Sequence, residues 1–352
     1  MRSTRTRITR SQTNLHHMKL LKQKEEKKTE QEKVEERREE VLATGRKFKY
    51  PLQWTRHRIV INTILIAFVI FSLVLVGGWL ALYRFGMTDT LLFRVTQILP
   101  VSVASVDSEN VRFSDYLMLY RSSIVSIERQ SGNQEQSSIN NLREDYKRSA
   151  LSEAEKYADA IKLAKELGLT VSDEEIDTEF SRHLAIGGIE RSEESFLKII
   201  ENNFGLTKSE YRRMLYLNII KAKVSMAIDD KANQIATKVE SILAENGDVF
   251  SEVVEQLEDE ISYEETGGFV DSKNIDGGRA SEAMKLEPGQ SSGKFVSMNG
   301  DGYYFVKLVN KNETEVNFVS IKVPFTEFNR RFDALKEDGK ITEHITINTQ
   351  DS

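Results

Sequence analysis

From Ile59 to Tyr83 the chain runs IVINTILIAFVIFSLVLVGGWLALY, 25 residues without a charged side chain. Crossing a hydrocarbon core of ~30 Å takes ~20 residues of helix, and a segment in lipid must satisfy its backbone polar groups internally. The run is therefore expected to be a single membrane-spanning helix. Asn62 and Thr63 sit near one end, and Ser72 can return its hydroxyl to its own helix backbone. Trp54 on one flank, with Trp79 and Tyr83 on the other, suit the two interfacial belts. The alternatives are a buried core helix and a cleaved signal sequence. A signal sequence has an apolar stretch of only ~7 to 15 residues ending at a small-x-small site, which this run does not match.

Charge sets the orientation. Arg46, Lys47, Lys49, Arg56 and Arg58 crowd the N-terminal flank, whereas only Arg84 and Arg94 follow soon after the run. The positive-inside bias then keeps the N-terminus in the cytoplasm and exports everything after Tyr83, giving a single-pass plasma-membrane protein with its C-terminal part outside. Residues 1–58 hold 17 Lys/Arg and 8 Asp/Glu, net +9, so against −6 for the whole chain the remainder carries −15. Two such oppositely charged parts belong to different surroundings.

The arm 1–58 contains MRSTRTRITR and KQKEEKKTEQEKVEERREE, with too few apolar residues for a core, and is expected to be disordered or a solvated helix. Arg2, Arg5, Arg7 and Arg10 are suited to anionic headgroups; nucleic acid is not expected as a partner. After the span at 59–83, residues 84–100 read as a short amphipathic stalk.

The first folded unit, 101–228, opens with the strand VSVASV, a polar turn at Asp107–Asn110 and a helix capped by Ser114. SGNQEQSSINN reads as a loop and Leu151–Leu167 as a helix stopped by Gly168. Ser172 with Glu175, and Thr207 with Glu210, form two capping boxes, each opening a further helix, and Ser192 with Ser195 begin another between them. From 229 to 352 the texture changes to two helices, glycine-punctuated short segments, the hairpin FVSMNGDGYYFVKLV, the strand FVSIKV and a last helix. The expected class is mainly α with a smaller α+β part holding a small antiparallel sheet.

Composition removes several chemistries. A chain without cysteine has no disulfide, thiolate nucleophile or Fe–S cluster. His16, His17 and His57 fall on the cytoplasmic side, which leaves His183 and His344 outside and without metal-ligand spacing, so neither a metal nor a cofactor is expected. No nucleophile turn of the G-x-S-x-G type occurs. The acidic run Glu258, Asp259, Glu260, Glu264 and Glu265 lacks the alternating spacing of a calcium loop and reads as a solvated face.

ASVDSENVRFSDYLMLY, AIKLAKELGLTVSDEEID and NNFGLTKSEYRRMLYLNIIKAKV together resemble the opening strand and helices of the SurA and PrsA family of extracytoplasmic chaperones. The resemblance covers about residues 98 to 228. GDVFSEVVEQLEDE, Gly267–Gly268 and LEPGQSSGKFVSMNGDGYYFVKLV resemble, more loosely, the parvulin-type prolyl isomerase domain that follows in that family. A parvulin favours the twisted amide over the planar ground state with two histidines, a Cys or Asp and an apolar proline slot. Here Tyr304 stands at the hairpin histidine position, Ile275 and Arg279 stand where Met and Phe would line the slot, and the first strand is missing before Lys231. FVSIKV, Phe318–Val323, is expected to fold back as that strand, with Ser320 at the other histidine position. The helix after Pro324 is expected to pack Phe325, Phe328, Phe332 and Leu335 onto the same domain or back onto the helical module.

The resemblance implies a membrane-anchored holdase or foldase for unfolded exported polypeptides, carrying a degenerate, permuted parvulin-like domain. Adaptable Met and aromatic side chains suit such clients, and Phe204, Tyr211, Met214, Tyr216, Ile275 and Met284 are the expected client-binding residues. By default Phe204, Tyr211, Met214, Leu215, Tyr216 and Leu217 are the core of a helix pair. The alternatives are an active prolyl isomerase, for which Tyr303, Tyr304 and Ser320 are the polar groups near the slot, and an envelope scaffold that holds one partner.

Overall fold

A computed structural model of the chain describes residues 8–130, 136–185, 189–274, 276–297 and 299–347. Arg2, Arg5, Arg7, Ile275 and residues 131–135 of the polar interval lie outside the described residues, as do the side chains of Arg10 and Trp54. The chain divides into two compact units, Met1–Gly77 and Gly78–Ser352.

The first unit is helical over its described length. α1 (Ile8–Trp79) carries the polar arm and continues into the apolar run. Met18, Val34 and Val41 are exposed, so the described arm is a solvated helix. Among the described residues, one stretch, His57–Arg84, is long and apolar enough to cross a bilayer. Thr63 donates its hydroxyl to the Ile59 carbonyl at 2.9 Å, one turn back, which removes the cost of a polar group on that surface.

The second unit begins with the end of the apolar run. A π-helical turn over Leu80–Arg84 buries Leu82, and the Tyr83 hydroxyl donates to the Ser102 carbonyl at 2.6 Å. The expected stalk contains α2 (Thr90–Ile98), which is packed rather than free: Phe93 and Thr96 are buried, and Arg121 donates to Thr88 and Thr90. β1 (Ser102–Val106) and β2 (Glu109–Arg112) form a hairpin, tighter than expected because Asp107 adopts φ 54°. α3 (Phe113–Gln130) follows at once, and the Phe113 amide donates to Val101. Ser114 is therefore inside the first turn and does not cap the helix.

α4 (Gln136–Leu167) starts 15 residues before the expected Leu151, so Gln136–Asn141 of the expected loop is helical. α5 (Asp173–Leu184), α6 (Glu193–Phe204) and α7 (Lys208–Ile228) begin as expected. Both capping boxes are formed: Glu175 donates its amide to Ser172 Oγ at 3.2 Å while its carboxylate accepts from the Ser172 amide at 2.9 Å, and Thr207 with Glu210 repeats the pattern.

α8 (Asp230–Asn246) and α9 (Phe250–Leu257) lead into a small antiparallel sheet built from β3 (Ser262–Glu265), β4 (Val270–Asp271), β5 (Phe295–Val296), β6 (Gly302–Lys311) and β7 (Glu315–Pro324), with α10 (Arg279–Met284) between β4 and β5. The strand order is β3-β7-β6-β5, and β4 also pairs with β7. FVSIKV thus occupies an interior place. The period-2 alternation of strands gives the sheet two buried faces. Tyr303, Phe305, Ile321 and Val323 pack under α8 and α9, while Val306, Leu308, Val316 and Phe318 pack under α10.

α11 (Glu327–Glu337) and β8 (Ile341–Glu343) then return to the helical module. Phe325 joins the core beneath α8. Phe328 inserts between α4 and α7 beside Leu163, Ile220 and Val224, and Leu335 enters the main helical core. β8 pairs antiparallel with β1, and Ile345 and Ile347 complete the same core. A division of the chain at 228/229 therefore omits this return, which is driven by the burial of apolar side chains that have no other cover.

Candidate functional site

The helical module encloses an open cleft of about 990 Å³ between α3, α5, α6 and α7. α7 presents Tyr211, Met214, Leu215, Asn218 and Ile219 to it, which are positions i, i+3, i+4, i+7 and i+8 of one helix face. α6 supplies Phe196, Ile199, Ile200 and Phe204 by the same periodicity. Ile199 and Phe204 are 38% and 39% exposed, which makes them accessible apolar surface rather than core. Asn299 closes one end from the turn between β5 and β6. That turn reaches α7 because residue 300 is glycine: its φ is +69°, and a Cβ there would collide with Ala222.

The cleft floor is aromatic and hydrogen-bonded. Tyr211 meets Phe196 edge-on at 5.5 Å and Phe180 at 6.0 Å. His183 Nε2 lies 3.1 Å from the Glu179 carboxylate, and its Nδ1 shares a hydrogen bond with the Tyr211 hydroxyl. With Nε2–H donating to Glu179, Nδ1 is the acceptor and the Tyr211 O–H donates. Burial pushes the Tyr211 hydroxyl up to about 12, so it stays a neutral donor. Burial alone would raise Glu179, but hydrogen bonds from His183 and Arg182 outweigh it and hold the carboxyl below its ordinary value. The polar groups are thus largely satisfied among themselves, and the walls are left to take apolar side chains.

Of the expected client-binding residues, Phe204, Tyr211 and Met214 line this cleft. Tyr216 does not, because two positions on from Met214 it has turned to another face of α7, where Arg213 lies over its ring at 5.0 Å and binds Asp115 through two hydrogen bonds. Met284 packs against the sheet core under α10. Ile275 lies outside the described residues. The α6 residues Phe196 and Ile199 went unrecognised in the sequence, although the spacing in SFLKIIENNF shows the stripe.

Tyr303 is separated from Tyr304 and Ser320, which share one face of the sheet and both meet Arg279. Tyr303 packs edge-on against Phe325 at 5.0 Å on the α8 side. Tyr304 is on the opposite face, its hydroxyl donating to Asp301 at 3.2 Å and its ring lying under Arg279 and Lys322. Ser320 is on that same face but is buried, and its hydroxyl accepts from Arg279 Nη1 at 3.3 Å. Arg279 also pairs with Glu264, in a cleft of about 140 Å³ beside buried Asp276.

The family model described as the SurA-like N-terminal domain matches residues 52–225, which include the apolar run and the cleft-bearing module but not the sheet. Among curated proteins, none matches the chain. The similarity of residues 52–225 to a SurA-like N-terminal domain supports a SurA/PrsA-like family for this region of the chain.

Proposed function

We propose that this protein is a membrane-anchored extracytoplasmic chaperone that holds unfolded exported polypeptides in the cleft between α3, α5, α6 and α7. The observation that carries the reading is an accessible apolar cleft within a SurA-like N-terminal domain. Each large apolar client side chain that leaves water contributes ~1.5 to 3 kcal/mol. A segment placing two in the cleft gains only a few kcal/mol before the cost of ordering it is subtracted. Such binding is reversible, as a holdase requires. The 990 Å³ cleft has room for a few side chains rather than a folded domain, and Asn218, Ser122 and Asn299 along it offer hydrogen bonds to an extended backbone.

The apolar run at 57–84 anchors the chain, and the excess of Lys and Arg before it sets the N-terminus in the cytoplasm. The sheet region is a degenerate, permuted parvulin-like accessory whose hairpin turn supplies one end of the cleft. The test is the aggregation of a chemically unfolded client followed by light scattering, with the full chain in nanodiscs. Delay at stoichiometric amounts, lost in Phe204→Asp and Met214→Glu but kept in Tyr216→Ala, is the expected result. No delay by the unmodified chain overturns the reading.

A further inference from the structure

α2 turns its apolar side the wrong way for a helix in water. Leu91, Val95 and Ile98, at i, i+4 and i+7, form its outer face, while Phe93 and Thr96 point inward and are each 2% exposed. Leu91 is 73% exposed, and Ile98, at 84%, is the most exposed large apolar side chain among the described residues. Phe85, Met87 and Leu99, close by in sequence, are also exposed, as is Trp79 near the end of the apolar run. Contiguous apolar surface of this kind marks an interaction site.

We infer that α2 is an interfacial helix, laid on the lipid surface at the point where the chain leaves the bilayer. This rests on the reading of 57–84 as a span. Only Phe85–Asp89 separates the end of that run from α2, a reach of at most ~20 Å even if extended. Part of that connection is taken up in closing the helix, since the Phe85 amide donates to Leu80 at 3.0 Å and the Met87 amide, past Gly86 at φ 55°, to Ala81 at 2.9 Å. α2 therefore starts within or beside the headgroup zone, where an amphipathic helix sinks its apolar face and keeps its polar groups toward water and headgroups. Arg84 is exposed beside the patch, in reach of phosphate, and Trp79 suits the same depth. The inner face is fixed to the folded unit: Arg94 and Gln97 both donate to Glu210, the capping residue of α7. A helix held by lipid on one side and by the cleft-bearing helix on the other would seat the module against the membrane surface.

The chain has no cysteine, so single labels are easily placed. Val69→Cys, Leu91→Cys, Ile98→Cys and, as an aqueous control on α8, Lys238→Cys are each labelled with an environment-sensitive fluorophore. The full-length variants are reconstituted into phosphatidylcholine–phosphatidylglycerol vesicles with or without brominated acyl chains. Blue-shifted emission quenched by bromine is expected at 69, 91 and 98 but not at 238. Quenching at 69 with an aqueous signal at 91 and 98 overturns the inference and leaves the span standing. A blue shift at 91 and 98 without quenching means that protein, such as a second copy, covers the patch, and also overturns it. An unquenched 69 overturns the span and the inference together.

Discussion

The Thr326 amide donates to Asp229 Oδ2 at 2.6 Å, joining residues 97 positions apart. The same oxygen accepts from the Glu327 amide at 3.0 Å, and Oδ1 accepts from the Ala232 amide at 2.9 Å. One buried carboxylate thus caps α8 and fixes the start of α11.

Asp229→Ala is expected to destabilise the second unit by about 2 to 4 kcal/mol, since a lost cap costs ~0.5 to 2 kcal/mol and each buried amide left without an acceptor a further ~1 to 3. Asp229→Asn keeps one acceptor oxygen and should cost less. The urea midpoints of the full-length variants in micelles measure both.

Glu155 gives the fold a pH dependence. It is buried on α4 with Oε1 unpartnered, and burial, aided by the Glu343 charge, pushes its carboxyl up from 4.5 to about 7. Between those values the folded chain keeps a proton that the unfolded chain has lost. Stability therefore falls as pH rises through this window and levels off above it, by up to about 3 kcal/mol at ~1.4 kcal/mol per unit. Asp159, also buried and raised by burial, acts in the same direction. Chemical denaturation at pH 5 and pH 8 should show the loss, and Glu155→Gln should remove most of it.

The turn at Gly300 is a steric joint. Gly300→Ala is expected to lift the hairpin tip from α7 and raise amide exchange at Asp301 and Gly302, with a loss on the order of 1 to 3 kcal/mol for overpacking plus the strained φ. Ala222→Gly in the same chain should recover the steric part. Exchange mass spectrometry of the two single variants and the double variant separates the terms.

Tyr303, Tyr304 and Ser320 are divided between two faces or held by Arg279 and Asp301. Prolyl isomerisation in a protease-coupled peptide assay is accordingly expected to run at its uncatalysed rate, tens to hundreds of seconds, with the unmodified chain and with Tyr304→Phe or Ser320→Ala. Acceleration that either substitution abolishes would show that these groups do act together.

What was legible in the sequence was local. The capping boxes at Ser172 and Thr207 need only four residues each, and the α7 face follows from spacing; strict periodicity would have dropped Tyr216 and kept Ile219. What was not legible depended on distant partners. The first six residues of α4, Gln136–Asn141, read as a polar loop, yet the helix they open goes on to the turn where Arg148 binds Glu343 and the Ile347 carbonyl, 195 and 199 positions away. Ser114 was misplaced as a cap because the backbone passes from β2 into α3 without a break. The polar cluster around Arg279 depends on Glu264 and Ser320, which only the sheet brings together.

The pairing of β8 with β1 has a consequence for the order of events during synthesis. Synthesis delivers the chain N-terminus first, so β1 and β2 emerge with an open edge, and the core that awaits Leu335, Ile345 and Ile347 stays short of side chains until more than 200 further residues have followed. The module that opens the folded region is therefore among the last parts to close. For that interval the edge of its own first hairpin is that of an incomplete chain.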